Sequence, residues 1–236
     1  MASPTRPSDT QATAQPFGFA IGESATVSAL LQHPADATCC CVLAHGAGAG
    51  MTHPFMQAVA DGLARRGVAT LRYQFPYMER GSKRPDAPAL AHATVRAAVA
   101  EAAQRLPDLP LLAGGKSFGG RMTSQAQAAS PLPGVRGLVF LGFPLHPAGK
   151  PAVERGQHLL QVTCPMLFLQ GTRDSLADLE LLRPLIAQLG ERAALETIDD
   201  ADHSFHVPAR SGRKDAEVLE SMLDTLAGWA AKLVAA

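Results

Sequence analysis

The chain has 236 residues, a length that fits one α/β domain. Its 21 basic and 21 acidic residues cancel, and only 5% of residues are aromatic, which argues against binding to nucleic acid or to an anionic membrane surface. No stretch approaches the ~18 consecutive apolar residues that a membrane-spanning helix needs.

Residues 1–15 are rich in Ser, Thr, Pro and Ala and have no apolar core, so they read as a disordered tail. Residues 16–236 then read as a single domain. Phe17 to Gly22 and Thr26 to Gln32 read as two strands joined by a turn, and Cys39 to Ala44 is a continuous apolar run that suits a strand buried on both faces. Three of the four cysteines lie in that run, where neighbours point to opposite faces. They are expected to be buried reduced thiols, which favours a cytoplasmic setting.

His53 to Arg66 has helical periodicity and ends at Gly67. Val68 to Tyr73 is a strand, Gln74 to Pro88 a loop, and Ala89 to Leu106 a helix. Leu109 to Ala113 is a strand and Phe118 to Ala129 a helix. Val135 to Leu141, Pro165 to Gln170 and Ala194 to Ile198 are further strands, and Asp215 to Val234 is the last helix. Strands alternating with helices imply crossover connections. The expected fold is therefore a three-layer α/β/α sandwich around a mostly parallel sheet, with ligands bound beyond the carboxyl ends of the strands.

Those strand ends carry the chemistry. Gly115-Lys116-Ser117-Phe118-Gly119 follows an apolar strand and opens a helix. This G-x-S-x-G pattern suits a sharp turn that lifts a serine hydroxyl clear of the sheet, with small residues where neighbouring backbone passes close. Ser117 is the candidate nucleophile. The next strand ends in Gly171-Thr172-Arg173-Asp174 and the last in Asp202-His203-Ser204, so Asp174 and His203 stand where an acid and a base are needed, in the order Ser, Asp, His. Asp178 is the alternative acid and His206 the alternative base. The lesser reading of Asp174 is a turn residue or the cap of a helix starting near Ser175, and Asp202 could raise the pKa of His203.

A developing oxyanion needs fixed donors, expected from the N–H of Phe118 and from the N–H of Ala47 in the loop His45-Gly46-Ala47-Gly48-Ala49-Gly50. A phosphate cradle at that loop lacks the rest of its motif. His45, Gly46, Lys116 and Arg72 are expected substrate contacts. Arg72, Lys116, Arg80, Lys83, Arg84, Arg121 and Lys150 form a basic rim that is either solvated, internally paired or bound to an anionic acyl or leaving group. No cofactor or metal is expected.

On these segments, together with Arg72-Tyr73-Gln74-Phe75-Pro76-Tyr77 and Phe143-Pro144-Leu145-His146-Pro147, the chain resembles the α/β-hydrolase superfamily and its dienelactone-hydrolase-like branch. It looks most like the family of testis-expressed protein 30 and a regulatory subunit of the NSL chromatin complex. Dienelactone hydrolases proper use Cys as nucleophile, where this chain has Ser117. Lipases and many esterases carry a helical cap between the strands that here end at Leu141 and start at Pro165. The short segment Gly142 to Cys164 leaves room for no large cap and implies an open site. The resemblance implies hydrolysis of a small-molecule ester or thioester, with an amide also open. The alternatives are a non-catalytic interaction protein on the same fold, or acyl transfer by the same residues.

Overall fold

The computed structural model describes residues 12–23 and 25–235. The tail expected over residues 1–15 falls mostly on residues 1–11, which lie outside that description. Strand β1 (Gln15–Ile21) starts two residues before the expected Phe17 and pairs antiparallel with β2 (Ala25–Gln32). β2 runs antiparallel to β4 (Val68–Tyr73), which lies parallel to β3 (Cys39–Ala44). The strands β5 (Leu111–Lys116), β6 (Val135–Leu141), β7 (Met166–Gly171) and β8 (Ala193–Ile198) continue in parallel. One eight-stranded sheet results, in the order β1-β2-β4-β3-β5-β6-β7-β8.

Helices cover both faces. Helix α1 (Pro54–Ala64) and the last helix, α6 (Asp215–Ala235), pack on one face through Val59, Leu63, Met222, Leu223 and Leu226. The other face carries α3 (Pro88–Arg105), α4 (Phe118–Ala129) and α5 (Leu179–Leu189), through Val95, Val99, Met122 and Leu182. Strand β3 shows why its sequence reads as one apolar run. Cys39, Cys41 and Leu43 face the α1 side, Cys40, Val42 and Ala44 face the α3 side, and all are buried. Each Val, Leu or Phe fully withdrawn from water contributes roughly 1.5–3 kcal/mol, so this two-sided burial makes the sheet a stiff platform. The four cysteines are free thiols, and burial raises the pKa of each.

Two differences from the sequence-based expectation affect the site. The expected loop over residues 74–88 contains a short helix, α2 (Pro76–Glu79), started by Pro76 at its first turn. The helix expected near Ser175 begins at Leu179 instead, because Asp178 caps it by accepting the Glu180 N–H at 2.9 Å. The connection between β6 and β7 holds a 3-10 turn (Glu154–Gln161) and builds no large cap.

Candidate active site

Ser117 sits between β5 and α4 with φ 50° and ψ −116°, a conformation that non-glycine residues rarely adopt. The strained turn is enforced by packing. Gly115 has φ 148°, and a side chain there would collide with the Ala44 carbonyl on the neighbouring strand. A Cβ at Gly119 would stand 2.6 Å from the His45 carbonyl oxygen. The two glycines let β3 and α4 close on the turn and present the Ser117 hydroxyl above the sheet.

Two other strand ends reach it. The Ser117 hydroxyl donates to His203 Nε2 at 2.8 Å, and His203 Nδ1–H donates to Asp174 Oδ2 at 2.7 Å. Asp174 is fully enclosed, whereas the His203 side chain keeps 22% of its surface exposed, so a molecule from solvent can reach the ring. The acid and base loops are stitched together: Thr172 N–H donates to Ile198 O at 3.0 Å, and Arg173 N–H to Ala201 O at 2.9 Å. Asp202 builds the base loop by accepting the Ser204 and His206 N–H groups at 2.8 and 3.0 Å.

The alternatives to Asp174 and His203 are occupied elsewhere. Asp178 caps α5. His206 is exposed and donates to Asp215 at 2.8 Å, a pairing that raises its pKa. A second serine–histidine contact, Ser124 Oγ to His158 Nε2 at 2.8 Å, lies on α4, but the hydroxyl also faces the Arg121 carbonyl at 3.0 Å. Burial and the neighbouring Arg121 and His92 push the His158 pKa down to about 4, and among the described residues no carboxylate orients its ring.

Gln170 is a residue that the sequence reading passed over. Its side-chain N–H donates to Asp174 Oδ2 at 2.5 Å, and its Oε1 accepts the Phe143 N–H at 2.8 Å. Asp174 Oδ1 accepts the Leu176 N–H at 2.8 Å. Together with His203, these donors leave the carboxylate no freedom to turn. The available signal was a single polar residue at the end of the apolar run Met166-Leu167-Phe168-Leu169.

The loop after β3 passes beside Ser117, and a Cβ at Gly46 would lie 3.8 Å from that of Ser117. Phe118 N–H opens α4 and Ala47 N–H lies in this loop; among the described residues neither has a protein acceptor. Three of the residues expected to contact substrate, Arg72, His45 and Lys116, have partners within the protein. Arg72 is fully buried on β4 and donates to the Met51 carbonyl at 3.2 Å, while Gln74 accepts the Met51 N–H at 2.8 Å. Arg72 therefore braces the loop from below. His45 is also buried: its Nδ1–H donates to the Gly46 carbonyl at 2.8 Å, and its Nε2 accepts the Phe75 N–H at 3.1 Å. Burial lowers its pKa, consistent with a neutral latch between two loops. Lys116 turns under the base loop and donates to the His203 carbonyl. Of the basic rim, Arg80 pairs with the buried Asp86 at 2.7 Å.

Among the described residues no three His, Cys, Asp or Glu side chains gather to hold a metal ion, and no helix is long and apolar enough to cross a membrane. Two surface grooves, of about 400 and 330 Å³, lie between the 3-10 turn and α5 and between β8 and α6, and neither is lined by Ser117.

The solved structures that this chain is similar to share its architecture. A dienelactone hydrolase from Anabaena variabilis superimposes with a TM-score of 0.74 at 22% identity, over 93% of this chain and 97% of that one. The esterase domain of a Rhodothermus marinus protein gives 0.73 at 17% identity, over 94% and 99%. A lidless α/β serine hydrolase from Xanthomonas campestris gives 0.70 at 19% identity, over 96% and 98%. At these identities the likeness is one of fold. The sequence itself matches a family model over residues 37–231, from the strand before the glycine loop to the last helix, and the chain belongs to the alpha/beta hydrolase domain family.

Proposed function

We propose that the protein is a serine hydrolase that cleaves a small-molecule ester or thioester through an acyl-enzyme on Ser117. One observation carries this reading: a hydroxyl, an imidazole and a carboxylate from three separate strand ends lie in a hydrogen-bonded row of 2.8 and 2.7 Å.

In the proposed reaction His203 Nε2 takes the Ser117 proton as Oγ attacks the substrate carbonyl carbon. The carbonyl π pair moves onto oxygen, and the Phe118 and Ala47 N–H groups stabilise that oxyanion. The tetrahedral intermediate collapses, the leaving oxygen or sulfur takes the proton from His203, and Ser117 is left acylated. Water then repeats the sequence, with His203 as base and Ser117 as leaving group. Asp174, fixed by Gln170 and Leu176, keeps the proton on Nδ1 and stabilises the imidazolium. Gly46 lies beside the nucleophile, where a Cβ would stand 3.8 Å from that of Ser117.

The short β6–β7 connection, which holds only a 3-10 turn, favours small acyl groups over long chains. Free buried thiols fit a reducing, cytoplasmic setting. Within the family we place the chain in the dienelactone-hydrolase-like branch, near testis-expressed protein 30, on the motif segments around Ser117 and His203. A panel of p-nitrophenyl esters, acyl thioesters and small amides, run beside Ser117→Ala, tests the reading. Turnover of a short-chain ester or thioester by wild type alone is expected, and equal rates for the two proteins would refute it.

A further inference from the structure

Nothing in the proposed chemistry uses the Lys116 side chain, yet its ammonium is enclosed. Lys116 is the last residue of β5, next to Ser117. Its Nζ donates to the backbone carbonyl of His203. It lies 5.0 Å from the Phe205 ring centre and 5.9 Å from that of Phe55, and the two rings stack on each other at 5.9 Å. Gly142 closes a further side: a Cβ there would come within 2.9 Å of Nζ and 3.5 Å of the His203 ring.

A lysine at a strand end normally keeps its ammonium in water, because burying it without an ion pair is costly. Among the described residues Lys116 makes no ion pair within 4.0 Å, and the titratable groups facing it are Asp174, Asp202 and His203. Burial pushes its pKa down to about 8 against the opposing pull of the two carboxylates. The base loop also stores strain, for Phe205 has φ 64°.

We propose that Lys116 is a positioning residue: it ties the backbone of His203 to the strand end that carries Ser117, and so sets the distance between imidazole and hydroxyl. The proposal rests on the reading of Ser117 and His203 as nucleophile and base. One rigid strand end would then hold both partners of the proton transfer, one by its peptide and the other through four methylenes and an ammonium.

Lys116→Met keeps the apolar stem and removes the donor. A misplacement of about 1 Å at a reacting centre costs roughly 100-fold. The kcat for p-nitrophenyl acetate should therefore fall 10- to 100-fold, with KM within about 3-fold of wild type. The low-field proton resonance of His203 Nδ1–H should shift or broaden, while Tm does not fall. Lys116→Gln retains a shorter donor and should lie between the two. A folded Lys116→Met with wild-type kcat, or with raised KM alone, would overturn the proposal. So would failure of both variants to fold while Ser117→Ala folds, which would mark Lys116 as a determinant of the fold. If wild type neither turns over esters nor reacts with a fluorophosphonate, the hydrolase reading fails on its own. The resonance comparison still decides the Lys116 contact.

Discussion

Replacing Asp174 by asparagine changes one atom, and the structure says why that atom matters. The carboxylate accepts three hydrogen bonds: His203 and Gln170 on Oδ2, and Leu176 N–H on Oδ1. A carboxamide offers one acceptor and one donor. If its oxygen stays at the Oδ2 position, its NH2 faces the Leu176 N–H, donor against donor. If it flips, the NH2 faces His203 Nδ1 and forces the proton onto Nε2, the atom that must accept the Ser117 proton. In either orientation the imidazolium also loses its counter-charge. Loss of the correct tautomer and of that charge is worth about 10²- to 10⁴-fold in kcat, or about 3–5 kcal/mol of barrier. The buried donor left facing a donor costs roughly 1–3 kcal/mol of stability. Asp174→Asn should therefore fold with a lowered Tm, bind substrate normally and hydrolyse p-nitrophenyl acetate at 1% of the wild-type rate or less, a limit set by the ~10²-fold lower bound. A folded variant with more than half the wild-type kcat would refute the assignment of Asp174 as the orienting acid.

Other expectations follow from the same contacts. Gln170→Met leaves the Phe143 N–H unpaired and frees one side of Asp174. At about 1–3 kcal/mol for the orphaned donor, Tm should drop by about 2–12 °C in thermal melts, and kcat should fall with it. Gly115→Ala drives a methyl into the Ala44 carbonyl and should abolish soluble folded protein, whereas Gly48→Ala, also at positive φ but in open space, should cost about 1 kcal/mol by denaturant titration. His206→Ala removes an exposed contact to Asp215 and should leave kcat/KM unchanged, separating it from His203→Ala, which should lose nearly all activity. His158 has its folded pKa depressed from 6.5 to about 4, so the unfolded chain takes up a proton first and stability should fall as pH drops between those values. The loss, about 1–2 kcal/mol after allowing for partial exposure, should be absent from urea melts of His158→Gln.

Much of the fold was legible because hydrophobic period and punctuation agreed. β3, β4, α4 and β6 fall on their expected bounds; β4 follows Gly67, and β6 lies between Gly134 and Gly142. β5 ran three residues past its expected end, because Gly114 and Gly115 continue the strand as a glycine-lined approach to Ala44 and Val139 rather than breaking it. The placement of Ser117, Asp174 and His203 at strand ends was readable from spacing. The roles of Arg72, His45 and Lys116 were not. A charged side chain beside a reactive loop reads as a ligand contact, and only three dimensions show that Arg72 and His45 point beneath the loop and Lys116 beneath the base. Gln170 was invisible for the opposite reason, since a lone amide at a strand end carries no pattern.

The central claim is that Ser117 is the residue acylated in the reaction. Intact mass and peptide mapping after exposure to a fluorophosphonate test it directly. One adduct per chain on Ser117 is expected, with none on Ser117→Ala and at most slow labelling of His203→Ala. An adduct on Ser124 instead, or no adduct on folded wild type under conditions that label a control esterase, would contradict it.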